Sequence, residues 1–315
     1  MKILVTPTSF LKNPQAKAMV EAFADEIVYN PQTRPLEAEE VIALLDGVDG
    51  YIAGLDYITD EVIRQAPASL KVISRYGAGV DRVDLEAAKA KGITVTNTPG
   101  TNAVAVCELA FGLMLSLARA IPRLDNAVKS GGWPRNNGTE LAGKTLGVVG
   151  FGAIGKNLAT RARAFGMNLI AFDPYFDAAF AAQHGVVQKS LDEVITGADF
   201  ISLHVPLTKD TKHMIGEEAI SRMKDGAFVI NTARGGLVDE AAAAKALRSG
   251  KLGGIGLDAY EVEPVTDSPL FGLDNVVMTP HTGAHTNEAI AGMGIMAAQN
   301  LMDVLQGKGC RYTIV

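Results

Sequence analysis

Apolar residues along the chain gather in short β-prone runs, separated by segments whose apolar positions recur at helical spacing. In the N-terminal third the runs are Lys2–Thr6, Gly50–Ala53, Lys71–Ser74 and Thr94–Thr96. Residues 14–24, 37–46, 59–66 and 84–91 carry the helical pattern between them. Strand alternating with helix predicts an α/β fold on a parallel sheet, because parallel neighbours need a crossover and the helix supplies it. The rhythm resumes with Leu146–Val149, the helical stretch 156–165 and Leu169–Phe172. Strands are then expected at Asp199–Leu203, Ala227–Ile230, Gly253–Leu257 and Val276–Met278, helices at Glu217–Met223 and Asp239–Ser249, and a long helix rich in Ala and Met at Thr286–Leu305.

Two stretches break the alternation. Asn97-Thr98-Pro99-Gly100 is turn-rich and marks a domain boundary, consistent with a chain of 315 residues being long for one core. Asn102–Arg119 then predicts a long helix whose interior, Val106 to Leu117, carries no charge but Glu108. A helix this apolar must be covered on most sides. Packing on its counterpart in a second copy is one way, so a homodimer built on this region is expected; burial within one chain is the other. Lys129-Ser130-Gly131-Gly132-Trp133-Pro134 reads as a loop carrying the only tryptophan.

The segment Leu146–Asp173 carries the most chemistry. A buried strand runs straight into Gly150-Phe151-Gly152-Ala153-Ile154-Gly155, a helix follows, and a second strand ends on Asp173. This is the dinucleotide-binding arrangement. Gly150 permits the tight turn, Gly152 lets backbone approach a pyrophosphate, and Gly155 lets helix and strand pack closely. The free N–H groups at the helix start face the phosphates. Asp173 stands where a carboxylate accepts from ribose hydroxyls and repels a 2′-phosphate, which predicts NAD rather than NADP; residues 174–177 offer no arginine to reverse that.

Composition narrows the partners. A net charge of −6 and the lack of any dense Lys/Arg run argue against a nucleic-acid surface. Cys107 and Cys310 are too few and too far apart for a disulfide framework or a zinc site, so no metal is expected. Met1-Lys2 leads into Ile3-Leu4-Val5, a strand rather than a signal peptide. With no transmembrane run, a cytoplasmic protein without a membrane partner is expected.

Polar residues follow several of the later strands: His204-Val205-Pro206, Asn231-Thr232-Ala233-Arg234-Gly235-Gly236, Asp258 with Glu263-Pro264 beyond it, and Thr279-Pro280-His281. In a doubly wound sheet these ends share one rim. A histidine, a glutamate and an arginine beside a nicotinamide suit hydride transfer at an alcohol carbon: a base for the hydroxyl proton, a carboxylate behind it, and a guanidinium fork for a substrate carboxylate. A loop of the N-terminal third, Arg75-Tyr76-Gly77-Ala78-Gly79-Val80-Asp81, follows another strand's carboxyl end and could hold an anion on backbone N–H groups.

Arg234 in N-T-A-R-G-G, Glu263 in L-D-A-Y-E-V-E-P, His281 in T-P-H, the G-F-G-A-I-G turn, S-L-H-V-P-L at 202–207 and the R-Y-G-A-G-V-D loop together resemble the D-isomer-specific 2-hydroxyacid dehydrogenases. Within that family the chain is most similar to the D-3-phosphoglycerate dehydrogenases, notably at Asn97–Glu108 and Gly138–Leu141, in a short form without a regulatory domain. The resemblance implies two Rossmann-like lobes with a cleft between them. One is a flavodoxin-like substrate lobe of residues 1–98 and 286–315, and the other an NAD-binding lobe of residues 99–285. It implies His281 as acid/base, Glu263 as its partner and Arg234 as the carboxylate binder. Cofactor contacts are implied at Gly150, Gly152, Ala153, Ile154, Gly155, Asp173, His204, Val205, Pro206, Thr211, Thr232, Ala233, Asp258, His281 and Gly283. Substrate contacts are implied at Arg75, Ala78, Gly79, Asn102, Arg135 and Arg234. The expected reaction exchanges a hydride between NAD and C2 of a D-2-hydroxy acid. The alternatives are a hydroxypyruvate or glyoxylate reductase, or a non-catalytic NAD(H)-sensing interaction module. One departure bears on a phosphorylated substrate: phosphoglycerate-specific members often carry an arginine where this chain has Gly54-Leu55-Asp56, leaving Arg75 and Arg135 as candidate cations.

Overall fold

Each apolar run at the start of the chain forms a strand and each helical stretch a helix: β1 (Lys2–Val5), α1 (Pro14–Phe23), β2 (Glu26–Tyr29), α2 (Ala38–Leu44), β3 (Gly50–Ala53), α3 (Asp60–Gln65), β4 (Val72–Arg75), α4 (Leu85–Lys91) and β5 (Thr94–Thr96). The computed structural model describes residues 1–315. The second half contains α5 (Ala103–Ala118), α6 (Ile121–Lys129), β6 (Thr145–Val149), α7 (Ala153–Ala164), β7 (Asn168–Phe172), α8 (Ala178–His184), β8 (Val186–Gln188), α9 (Leu191–Gly197) and β9 (Phe200–Leu203). It continues with α10 (Glu217–Arg222), β10 (Ala227–Asn231), α11 (Glu240–Ser249), β11 (Leu252–Leu257), β12 (Val276–Met278) and α12 (Asn287–Leu305). Met1–Asn102 with Ala284–Val315 form one unit and Ala103–Gly283 the other. The division thus falls at Ala103 rather than at the Asn97–Gly100 turn, because α5 is where side chains begin to enter the second unit's core.

In the first unit five parallel strands run in the order β2-β1-β3-β4-β5. Leu4, Tyr51, Ile73 and Val95 meet Val41, Val62, Ile63 and Ala88 from α2, α3 and α4, and α1 and α12 are the remaining long helices of that unit. The second unit has seven parallel strands in the order β12-β11-β10-β9-β6-β7-β8. Val149, Ile201, Val229 and Ile255 pack with Val194, Ile220, Ala243 and Leu247 of α9–α11. A second cluster packs Leu146, Val148, Leu169, Phe200 and Ile230 with α5 and α7. The strand order reverses beside β6, so the turn after β6 lies at a topological switch point, where open α/β sheets bind ligands.

The apolar helix expected over Asn102–Arg119 is α5, and its own chain covers it. Cys107, Ala110, Leu113, Met114 and Leu117 are buried, partly against a sheet whose glycines let the helix come close: a Cβ at Gly256 would touch Leu113 and Leu117. Most of the cover that α5 needs is thus supplied within one chain. Uncovered apolar surface remains at Val104 on α5, on α6, which buries no residue, at Ile121 and Val128, and at Trp133, 78% exposed. The helix breaks at Ala120, whose left-handed backbone (φ 51°) turns the chain into α6. Five elements escape the apolar pattern: β2, α6, α8, β8 and α9. The two strands sit at sheet edges, where one flank needs no apolar cover, and α8 is written mostly in alanine. No single helix is long and apolar enough to cross a membrane.

Candidate active site

Register carries five residues of the second unit to one row. Val149 pairs with Leu203, Leu203 with Asn231, Asn231 with Leu257, and Leu257 with Met278. One residue further along each strand stand Gly150, His204, Thr232, Asp258 and Thr279, with the ladder continuing as His204 N–H to Val149 O (2.7 Å), Asp258 N–H to Asn231 O (2.9 Å) and Thr279 N–H to Leu257 O (2.9 Å).

At one end of this row the glycine turn has the shape a dinucleotide needs. Gly150 adopts φ 96°, and a Cβ there would strike the His204 carbonyl; a Cβ at Gly155 would strike the Gly150 carbonyl, so only glycine lets α7 close on the turn. Gly152 faces open space and caps α7 without a side-chain bond, which leaves the N–H groups at the start of the helix, from Ala153 and Ile154, to an anion. Asp173 Oδ2 accepts from Phe151 N (2.7 Å) and Oδ1 from Tyr175 N (2.7 Å). Two amides thus fix the carboxylate while each oxygen keeps capacity for a ribose hydroxyl. Further along the row, Thr232 Oγ1 and His204 Nδ1 are buried without a hydrogen-bond partner. Orphaned polar atoms at such a rim fit a polar ligand group better than empty protein interior. Burial pushes the His204 ring down to about 3, so it is neutral, and its Nε2 lies 2.9 Å from Ser202 Oγ. Thr211 lies in the loop after β9, its hydroxyl donating to Pro206 O at 2.8 Å; Val205 is half-buried and Pro206 exposed.

At the other end Asp258, 2% exposed, spends its carboxylate on the turn that carries His281. Oδ1 accepts from Thr279 Oγ1 (2.6 Å) and Thr282 N (2.8 Å), and Oδ2 from Gly283 N (2.7 Å). His281 itself adopts φ 48°, a region an L residue occupies only when its surroundings hold it there. Its Nδ1 lies 2.8 and 2.9 Å from the two oxygens of Glu263. An ionised carboxylate only accepts, so Nδ1 carries the proton and Nε2 is left as the nitrogen that exchanges one. Glu263 Oε1 also accepts from Tyr260 N at 3.1 Å. The Tyr260 hydroxyl donates to Thr279 O (2.7 Å) and Leu257 O (3.1 Å). This binds the Glu263 segment to the His281 segment, a role that nothing in the sequence pattern marks.

Arg234 follows β10 by three residues. Asn231, fully buried, donates from Nδ2 to Arg234 O (2.8 Å) and accepts from Ala233 N (3.0 Å), and Arg234 Nη1 donates to Ala233 O at 2.7 Å. Gly235 lies so close to the Tyr260–Glu261 peptide that any Cβ would overlap it. The arginine turn and the Glu263 turn therefore behave as one piece. Arg135 lies apart from them, in the exposed irregular segment after α6.

The remaining residues put forward for substrate belong to the N-terminal unit. Arg75 is buried at the end of β4 with Nη1 donating to Tyr76 O (2.8 Å) and Ala53 O (3.1 Å). Gly77 (φ 142°) lies over its guanidinium, followed by Ala78, exposed, and Gly79, half-buried; Asn97 Nδ2 pins Ala78 O at 2.8 Å. Asn102 is half-buried in the turn before α5. Asp56, in the Gly54-Leu55-Asp56 loop, points inward. It accepts from Leu36 N (2.8 Å), Gly54 N (2.9 Å), the Tyr51 hydroxyl (3.0 Å) and the Thr6 hydroxyl.

Residues 111–283 match the NAD-binding domain of the D-isomer specific 2-hydroxyacid dehydrogenases. A D-3-phosphoglycerate dehydrogenase of Methanocaldococcus jannaschii is 48% identical over 254 residues, which are 80% of this chain and 48% of that relative. A hydroxypyruvate reductase of Thermotoga maritima is 46% identical over 276 residues, 86% of this chain and 89% of the other. Among solved structures, a D-lactate dehydrogenase from Aquifex aeolicus complexed with NAD and lactic acid is 31% identical, with a TM-score of 0.86 over 97% of this chain and 96% of its own. The chain spans about half the length of the phosphoglycerate dehydrogenases it matches.

Proposed function

The chain belongs to the D-isomer specific 2-hydroxyacid dehydrogenase family, and from that membership we propose that it is an NAD-dependent oxidoreductase interconverting a D-2-hydroxy acid and the 2-keto acid. The observation that carries the reading is the His281 Nδ1–Glu263 contact, on the same sheet rim as the glycine turn. NAD, when bound, supplies the hydride acceptor. The chain's own part is to hold the substrate and move one proton. His281 Nε2 takes the hydroxyl proton during oxidation and returns it to the carbonyl oxygen during reduction. Glu263 stabilises the imidazolium formed on the way, and Arg234 offers a planar fork to the substrate carboxylate. Asp258 aims the His281 turn, while the buried Thr232 hydroxyl and His204 Nδ1 would hold polar groups of the bound cofactor.

The test is NADH absorbance in the presence of phosphohydroxypyruvate, hydroxypyruvate, pyruvate and glyoxylate. Steady oxidation with at least one acid is expected; tight NADH binding without turnover on any of them overturns the enzymatic reading in favour of a sensing module.

Asp173 favours NAD over NADP in this reading. Asp173→Ala should lower kcat/KM for NAD by about 10- to 100-fold, the worth of a charge-assisted hydrogen bond, and narrow the NAD/NADP ratio. Because the same carboxylate holds Phe151 N and Tyr175 N, the variant's Tm is read alongside. A wild-type preference for NADP would refute the assignment.

A homodimer is proposed through α6 and the segment after it, where Ile121, Val128 and Trp133 leave apolar surface uncovered. Sedimentation at micromolar concentration should give twice the chain mass, and a monomer would refute it. Both cysteines are free, in keeping with a reducing cytoplasm.

A further inference from the structure

Glu240 opens α11, where an acid ordinarily stands in water beside the helix N-terminus. Here it is 9% exposed and turned toward the segment after β11. Its Oε1 accepts the Glu261 N–H at 2.9 Å and its Oε2 the Ser268 hydroxyl at 3.0 Å. Glu261 returns the contact: its Oε1 accepts the Glu240 N–H at 3.3 Å and lies 3.2 Å from His213 Nε2. His213 is itself held in a left-handed conformation, φ 52°. On the other side Gly235 presses against the Tyr260–Glu261 peptide. Between these supports runs the short turn that ends in Glu263, closed by Glu263 Oε1 on Tyr260 N. Burial pushes the Tyr260 phenol up to about 12, so it stays a donor to Thr279 O.

We propose that Glu240 is a positioning residue for the acid–base pair. It holds the Tyr260–Glu263 turn through the Glu261 N–H, so that both Glu263 oxygens stay on His281 Nδ1. The proposal rests on the dehydrogenase reading of that pair. Glu240 acts through geometry: the groups facing it are Glu261, Ser268 and Tyr260, with His213 behind Glu261, whereas His281 faces Glu263, with Asp258 and Arg234 on the neighbouring strand ends. A loosened turn would let the Glu263 carboxylate drift, and displacements of about 1 Å at a reacting group cost on the order of 10²-fold in rate.

The experiment is the pH–rate profile of 2-keto acid reduction, with NADH affinity and Tm, for Glu240→Ala and Glu240→Gln in the wild-type and Glu263→Gln backgrounds. Reduction uses the imidazolium, and Glu263→Gln removes the charge that favours it, so the upper pH limb should move down. Glu240→Ala should move that limb in the same direction and lower kcat by roughly 10- to 100-fold, with NADH affinity unchanged. Glu240→Gln keeps an oxygen for the Glu261 N–H and turns its amide to the Ser268 hydroxyl, so it should restore both. In the Glu263→Gln background, Glu240→Ala should move the limb no further. A Glu240→Ala variant with lowered Tm and a wild-type limb makes the residue merely structural and overturns the proposal, as does an additive shift in the double variant. Should Glu240→Ala not fold, Glu240→Asp, one methylene short of the Glu261 N–H, must show the same shift; a wild-type limb in the folded variant sinks the idea. If Glu263→Gln alone leaves the limb in place, the pairing with His281 falls and this role with it. If only Glu240→Ala leaves it in place, the pairing stands and Glu240 loses its part.

Discussion

His281→Asn is expected to lower kcat for keto-acid reduction by roughly 10²- to 10⁴-fold, the usual worth of a general acid/base, while NADH binds as in the wild type. Asparagine is the informative replacement. His281 sits at φ 48°, a region asparagine tolerates better than most residues, so the turn pinned by Asp258 through Thr279, Thr282 and Gly283 should survive. Its amide can still donate to Glu263, yet an amide N–H is far too weak an acid to protonate a carbonyl oxygen. The backbone, and with it any contact the 281 carbonyl makes to a cofactor, is untouched. Single-turnover rates with NADH and a keto acid, set beside NADH titration by fluorescence, separate the two effects. A variant within about tenfold of wild type in kcat would show that another group moves the proton.

What the sequence reveals of this site depends on whether backbone or side chain does the work. Gly150 and Gly155 are legible because each stands where a Cβ would meet a carbonyl, and such a requirement leaves glycine as its trace. The row of strand ends is legible for a related reason. Buried parallel strands are continuous apolar runs, so the first polar residues after each run, His204, Asn231 with Thr232, Asp258 or Thr279, mark the rim. Glu263 is harder. Its place opposite His281 depends on a turn closed by its own carboxylate and tied by the Tyr260 hydroxyl, contacts with no periodicity; the strand ends offered a carboxylate behind a histidine, and the family resemblance assigned the pair. Glu240 left no trace at all, since an acid after Asp239 at a helix start reads as a solvated first turn.

The same limit applies to α5. Apolarity said that α5 must be covered but could not say by what, and the small residues of β11 that receive it, Gly254 and Gly256, read as weak strand rather than as room for a helix. The uncovered surface of α6 is masked by charges spaced among Ile121, Leu124 and Val128. Edge strands β2 and β8 escape because they bury one flank at most.

Arg234→Ala should weaken substrate and transition state together, lowering kcat/KM by about 2–5 kcal/mol, on the order of 30- to 4,000-fold, as when a desolvated carboxylate loses its partner. The backbone has little cause to move. The Arg234 carbonyl is held by Asn231 Nδ2, and Gly235 beyond it is wedged against the Tyr260–Glu261 peptide, so neither support depends on the guanidinium. The rate should therefore fall with the fold intact, which an unchanged Tm would show. Arg234→Lys sharpens the point. Lysine keeps the charge but offers a point rather than a planar fork, and cannot bind two carboxylate oxygens in parallel. It should recover only part of the loss in kcat/KM, if the fork is what orients C2 for hydride transfer. Steady-state kinetics for wild type, Lys and Ala on one keto acid decide it. A lysine variant with wild-type kcat/KM would reduce Arg234 to a source of positive charge, and an alanine variant with unchanged KM would move the carboxylate to another site.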